Sequence, residues 1–411
     1  MQDDFVDGAR GERAGGRYLV FWGLVVAATA VLCAVPSGRG RSAVAAAPSG
    51  GPWVVGKVPP APWKSRTAHG VRTLIQAPAR VNAGYPVDVR ITLVNHGDLW
   101  IADRGLVPAW GLLPRTWCWG PRTRSPAKLL RYAAGGRLGV TLTGSGPTVC
   151  AGPGASLALP RRLHLSRIFD LSVPGSYEVQ LAGEGPFFTA SPAHGGRIER
   201  HLTGRLLVSN VIKVRVLAPA TEPPGPILKI AAIGTTRSAI WGMAEDGVEM
   251  AAQARPSAGL TARVRLLFRC TGRRPAGLRL TGNPPIDFLG GCDVRGPFVG
   301  PGYVNLPAYK RIIGKPAPLT AYGRQLSRPA GASPPEKMFT LKPGKVYEYW
   351  VPLVLNSWFD LSYKGVYRFK ARLGGTHLNS APIPLFIGVP PAEYKRPGDL
   401  FRVVPPRWAR R

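Results

Sequence analysis

Three side chains able to move protons or attack, Asp170, Ser172 and Tyr177, stand close together in the stretch FDLSVPGSY, Phe169 to Tyr177. The same three types return at identical spacing in FDLSYKGVY, Phe359 to Tyr367, as Asp360, Ser362 and Tyr367. An aspartate and a tyrosine around a serine would suit hydrolysis by a nucleophilic hydroxyl, provided that a base takes its proton. No histidine stands at a repeated offset, since His164 before the first stretch is answered by Val354 before the second. The kept residues suit a structural corner better. Phe169 and Leu171 alternate inward, Asp170 and Ser172 close a turn with short polar side chains, and Gly175 or Gly365 permits a bend closed to other residues. Tyr177 or Tyr367 then opens the next strand, its hydroxyl returning to upstream backbone as in a tyrosine corner.

Other chemistry is sparse. The six histidines, His69, His96, His164, His194, His201 and His377, are scattered, and neither HExxH nor GxSxG occurs. His194 and His201 are the nearest pair, EDGVE at Glu245 lacks the alternating aspartates of a calcium loop, and the Gly-rich GGRLGV and GSGP lack the lysine or helix of a phosphate cradle. The expectation is no catalytic residue, no metal and no cofactor. Cys118 and Cys150 lie in one half, Cys270 and Cys292 in the other, with no C-x-x-C, so the simplest of the three possible pairings is one disulfide in each half. The segment from Leu99 to Arg122 carries Trp100, Trp110, Trp117 and Trp119 with interleaved arginines. Buried, these would pack around Cys118; exposed, they would form a binding face suited to stacking on sugars or cations.

The elements that position these residues form a repeat. Between Pro153 to Val179 and Pro343 to Phe369 the halves align without a gap, 10 of 27 positions being identical. Upstream, GVRTLIQA from Gly70 is answered by GVEMAAQA from Gly247, and the Val-Arg of VDVRITLVN by that of TARVRLLFRC, which places Cys270 where the first half has Asn95. Alternation in VDVRITLV, VIKVRVL and YEYWVPLVL gives strands with one buried face. About seven such strands per half predict an all-β chain of two tandem immunoglobulin-like antiparallel β-sandwiches. The expected limits are a signal or anchor over 1–47, a Pro/Gly-rich spacer over 48–62, domains over 63–217 and 241–389, a linker over 218–240 and a basic tail over 390–411.

The order W-x(6)-G-V, A-G-x(4)-V-R, P-G, F-D-L-S-x-x-G-x-Y and S-N-V-I-x-V-x-V resembles the Ig-like domains of secreted bacterial proteins, including the sandwich of the bacterial intracellular proteinase inhibitor family. That resemblance covers most of both halves. It implies modules that bind or space and carries no catalytic residue with it.

The net charge of +32 comes from 41 Arg and 13 Lys against 22 acids. The arginine excess, beside abundant Gly, Ala and Pro, reads as compositional bias, and a polyanion-facing surface is the alternative. Basic residues are dispersed, so nucleic acid is not the expected partner; a protein or a polyanionic envelope component is. The uncharged run Tyr18 to Val35, preceded by Arg10, Arg13 and Arg17 and followed by SAVAAA, reads as an export signal or a retained anchor. Either sends the remainder to the periplasm, the cell surface or the medium. The expected function is non-catalytic binding or spacing in the cell envelope. The alternatives are a proteinase inhibitor, a polyanion- or carbohydrate-binding protein, or a hydrolase with its site between the domains.

Overall fold

The computed structural model describes residues 70–98, 100–103, 115–120, 127, 130, 149–158, 162–184, 187–191, 197–202, 206–232, 239–254, 259–299, 311–328 and 334–389. The described residues are mostly β-strands in several, largely antiparallel sheets, with few helices among them. The apolar run 18–35, the spacer and the basic tail lie outside the described residues. Among those described, no helix is long and apolar enough to cross a membrane.

The first half opens with β1 (Val71–Gln76), β2 (Arg80–Asn82), β3 (Asp88–Asn95), β4 (Trp100–Asp103), β5 (Arg115–Trp119) and β6 (Val149–Ala151). It continues with β7 (Ser156–Ala158), β8 (Leu163–His164), β9 (Gly175–Glu184), β10 (Phe187–Ser191), β11 (Arg197–Leu202), β12 (Leu206–Val208) and β13 (Ile212–Leu217). β1, β3, β7 and β8 form one sheet; β12, β9, β13, β2 and β5 form the facing one; β11, β10, β4 and β6 form a third. Period-two alternation puts Val89 and Ile91 of β3 inward, against Val179 and Leu181 of β9 and Val214 of β13. Each such side chain stabilises the fold by about 1.5–3 kcal/mol through burial. Asn210 ties the two layers together: its amide oxygen accepts from Ile75 N at 2.7 Å and its amide nitrogen donates to Ile75 O at 3.1 Å.

The second half comprises β14 (Leu228–Ile230), β15 (Ile240–Trp241), β16 (Val248–Ala254), β17 (Arg263–Cys270), β18 (Ala276–Leu280) and β19 (Asp293–Val299). After these come β20 (Lys337–Leu341), β21 (Val346–Tyr349), β22 (Leu353–Val354), β23 (Gly365–Lys370) and β24 (Ile383–Ile387). Helix α1 (Pro284–Phe288) precedes β19 and α2 (Ala321–Leu326) precedes β20. A six-stranded sheet, β14-β21-β17-β16-β15 with β22, faces the sheet β19-β23-β24 across a core holding Met250, Val264, Phe268, Tyr367 and Phe369.

Strand pairings in the halves correspond residue for residue. Val71 faces Asn95 as Val248 faces Cys270, Val89 faces Leu163 as Val264 faces Leu353, and Tyr177 faces Val214 as Tyr367 faces Leu385. Ser209 and Ser380 each make two bonds to one backbone residue, Leu181 of β9 and Ala371 just after β23. The second half starts earlier than its alternating pattern suggests. β14, within the sequence-predicted linker, pairs with β21 and carries Ile227 into the core beside it.

Candidate functional site

Each corner consists of a two-residue strand, a single 3-10 turn (Leu165–Arg167 or Leu355–Ser357) and the repeated motif. Leu165 N donates to Val87 O and Leu355 N to Ala262 O, while Phe169 N and Phe359 N donate to the leucine carbonyls behind them. Asp170 Oδ1 accepts from Ser172 N at 3.1 Å and Asp360 Oδ1 from Ser362 N at 3.0 Å. The Tyr177 hydroxyl donates to Val173 O at 2.7 Å, and that of Tyr367 to Tyr363 O at 2.9 Å. Gly175 and Gly365 have φ of 144° and 150°, a region costly for any residue with a Cβ. Burial, reinforced by the Asp170 charge and by Cys118, raises the Tyr177 hydroxyl well above its ordinary range, so it acts as a permanent donor.

The structure brings the two corners to one seam. Asp170 Oδ2 accepts from Ala321 N at 2.7 Å and Ser172 Oγ accepts from Tyr322 N at 3.1 Å. These are the first free N–H groups of α2, so a carboxylate and a hydroxyl of one half satisfy orphan donors of the other. Thr320, the N-cap, accepts from Gly323 N and donates to Ser357 O at 2.7 Å. Arg167 Nε donates to Ser362 O at 3.1 Å, and the Arg263 guanidinium lies 6.0 Å from the centroid of the Tyr85 ring. Gly84, at φ 84°, approaches so closely that a Cβ there would stand 2.6 Å from Ser357 N. Lys364 is held below its ordinary pKa by burial first and by the Arg167 charge second.

This geometry explains what Ser172 can do. Its hydroxyl donates to Asp170 Oδ1 while accepting from Tyr322 N, so both capacities are engaged in holding the seam. An acid–histidine contact joins Asp88 Oδ1 to His164 Nδ1 at 2.6 Å, partly exposed on β3 and β8. Ser166, two residues on, instead accepts from Val87 N. Among the described residues no group of three His, Cys, Asp or Glu side chains is placed to hold a metal ion. Two clefts open on the seam. One of about 40 Å³ lies between the motifs themselves, lined by Arg167, Asp170, Ser172, Asp360 and Ser362. A larger one of about 320 Å³ is walled by Tyr85, Arg263, Pro284, Pro285, Tyr322 and Trp358.

Among the described residues the expected Cys270–Cys292 disulfide is not formed. Cys118, Cys270 and Cys292 are free thiols, and the Cys150 side chain lies outside the described residues. Cys270 ends β17 in the six-stranded sheet, its Sγ directed at Arg274 O at 3.0 Å, whereas Cys292 leads into β19 of the facing sheet. Register also separates Cys292 from Cys118. Cys118 opposes Val179, and the residue opposing the matching Phe369 is Val294, two positions on. Burial pushes the Cys118 and Cys292 thiols far above the ordinary range and keeps them protonated.

The tryptophans do not share one sheet. Trp100 belongs to β4, with Gly152 beneath its indole, whereas Trp117 and Trp119 pair with Gln180 and Glu178 on β9; Trp110 lies outside the described residues. Sequence reasoning missed Asp287, which is 4% exposed. Its carboxylate accepts from Thr281 N and Oγ1, from Gly282 N and from the Tyr349 hydroxyl at 2.8 Å. Burial raises its pKa against these donors. The local signal was TGNPPID, a turn, two prolines starting a helix and an aspartate reaching back.

No protein-family model matches the chain, and no curated protein matches it significantly.

Proposed function

We propose that the chain is an exported, non-catalytic envelope or cell-surface protein whose two tandem immunoglobulin-like modules are clasped into one stiff unit that binds or spaces. The observation that carries this reading is the use of Asp170 and Ser172 to cap α2 of the other half, which turns a potential nucleophile into a fastener. The bond to the charged Asp170 acceptor contributes about 1.5–3 kcal/mol and the neutral one to Ser172 about 0.5–1.5 kcal/mol, which together oppose hinge motion at the seam. Export rests on the apolar run Tyr18 to Val35 with its arginine flank. A protein or polyanionic envelope component is the partner class. A second reading, ligand binding at the seam, is favoured by the cleft between Tyr85, Tyr322 and Trp358.

Two measurements test the proposal. Protease added outside intact cells, or to cells opened to their periplasm, should digest the protein while sparing a cytoplasmic marker; protection equal to that marker's would sink export. Small-angle scattering of the native protein should fit one rigid arrangement, and the Asp170→Ala variant should broaden it. A native protein already as broad as the variant would remove the stiff-unit reading.

A further inference from the structure

The outward face of the β19-β23-β24 sheet differs from its counterpart in the first half. On β23, Arg368 and Lys370 alternate with the buried Tyr367 and Phe369, and Arg372 continues the row past the exposed end of the strand. Register places Glu178, Gln180 and Ala182 at the matching positions of β9. There Gln180 is buried and donates to Ser209 O, and Glu178 is paired with Lys213 at 3.3 Å. A bias toward arginine acting evenly on both halves would not make this difference.

The row runs into a pocket of about 400 Å³ lined by Gly290, Cys292, Asp293, Lys370, Arg372, His377 and Asn379, within the range of about 300–1,000 Å³ that holds small ligands. Its walls are pinned together. Gly374 N donates to Asp287 O at 2.7 Å, and Gly291 is pressed on the Arg372 carbonyl so that a Cβ would come within 2.2 Å. His377 N is held by Glu245 Oε1 at 3.0 Å. Asp293 is shared between Arg295 at 3.0 Å and Arg368 at 3.7 Å. Among the described residues, Lys370 and Arg372 have no carboxylate within ion-pair distance.

We infer that this pocket and the basic row above it bind an acidic glycan, a sugar chain carrying carboxylate groups. The inference rests on the reading of the protein as an envelope-binding module. Lys370 and Arg372 supply unpaired cations for the acid groups, with guanidinium matched to carboxylate by its fork of donors. Asp293, Asn379 and His377 supply acceptors and donors for hydroxyls; a carboxylate in the wall suits a hydroxylated ligand and opposes a polymer of phosphates alone. No Phe, Tyr or Trp side chain lines the pocket to stack a nucleobase.

The test is binding of the full chain to polygalacturonate at near-physiological salt, with polyphosphate, single-stranded DNA and neutral dextran as comparison probes. Polygalacturonate is expected to bind most tightly and dextran not at all. Lys370→Glu with Arg372→Glu should weaken polygalacturonate binding at least tenfold, and Asn379→Ala by a few-fold. The charge-matched pair Lys213→Glu with Arg215→Glu on β13 should change it less than twofold. Equal losses from both pairs, or polyphosphate or DNA binding as tight as polygalacturonate, would overturn the proposal and assign adhesion to the net charge. A denaturation midpoint unchanged in each variant keeps loss of folding from imitating loss of the site. Export and stiffness are read by protease access and scattering, so this proposal can fail while they stand.

Discussion

The two FDLS corners share their bonds within about 0.2 Å, yet they serve different surroundings. Around Asp360 the chain that leads into α2 runs alongside its own corner, with Asp360 N donating to Pro318 O and Thr320 N to Trp358 O. Around Asp170 the matching bond comes from Leu130 N to Ile168 O, and the carboxylate then reaches out to the helix of the other half. The same distinction separates β9 from β23, whose inward residues are alike, whereas outward Glu178 of β9 pairs with Lys213 of β13 and β23 carries the basic Arg368 and Lys370. Positions that both halves keep serve the fold. At Asp170 and Ser172 two kept side chains also reach α2 across the seam, whereas the basic pocket arises at positions where the halves diverge.

That comparison can be broken by matched substitutions. Leu165 and Leu355 are both fully buried at the start of their 3-10 turns. Leu165→Ala and Leu355→Ala should each cost about 2–5 kcal/mol, measured by urea denaturation. A corner whose leucine can be truncated for much less than its counterpart's would not be an equivalent structural element. Next comes Asp170→Ala, which removes the turn acceptor, the seam bond from Ala321 N and the acceptor that orients Ser172 Oγ toward Tyr322 N. About 2–3 kcal/mol should be lost, and a single cooperative transition should divide into two in calorimetry. An undivided transition would show that the clasp does not couple the halves.

Smaller effects sharpen the equivalence. Tyr177→Phe and Tyr367→Phe each leave one carbonyl without its donor and should cost about 1 kcal/mol, similarly in the two halves. A loss confined to one half would separate the corners. Lys364→Met tests the seam electrostatics. The folded-state pKa of Lys364 lies below the ordinary lysine value of 10.5. The unfolded chain therefore holds that proton more tightly, and stability rises as pH climbs through the folded-state pKa toward 10.5. Near neutral pH the methionine variant should be more stable by no more than about 1 kcal/mol, given partial exposure, and its advantage should shrink toward pH 10.5. An advantage independent of pH would assign the effect to packing instead of charge.

Much of the scaffold was legible because it is local or periodic. Alternation in VDVRITLV marks β3, and the six kept residues of each motif mark the corner, since a turn, a glycine with positive φ and a tyrosine reaching back four residues are all encoded within one short stretch. β14 escaped notice because Leu228–Ile230 is too short to show a period and gains its strand pairing from β21, more than a hundred residues away. The pairing of cysteines was misjudged for a related reason. One disulfide in each half was assigned from position along the chain, whereas Cys270 ends β17 and Cys292 leads into β19 of the facing sheet, and only the packing of those sheets sets their separation.

By itself the sequence determined that the motif F-D-L-S-x-x-G-x-Y occurs twice at identical spacing and that Ser172 has no recurring base. Tertiary structure alone decided that one corner caps the other half's helix, that Asp287 gathers four donors, and that Lys370 and Arg372 meet His377 over a pocket. These depend on residues far apart in the chain whose meeting is fixed by strand register and by the packing of two layers, and neither leaves a period or a motif to read.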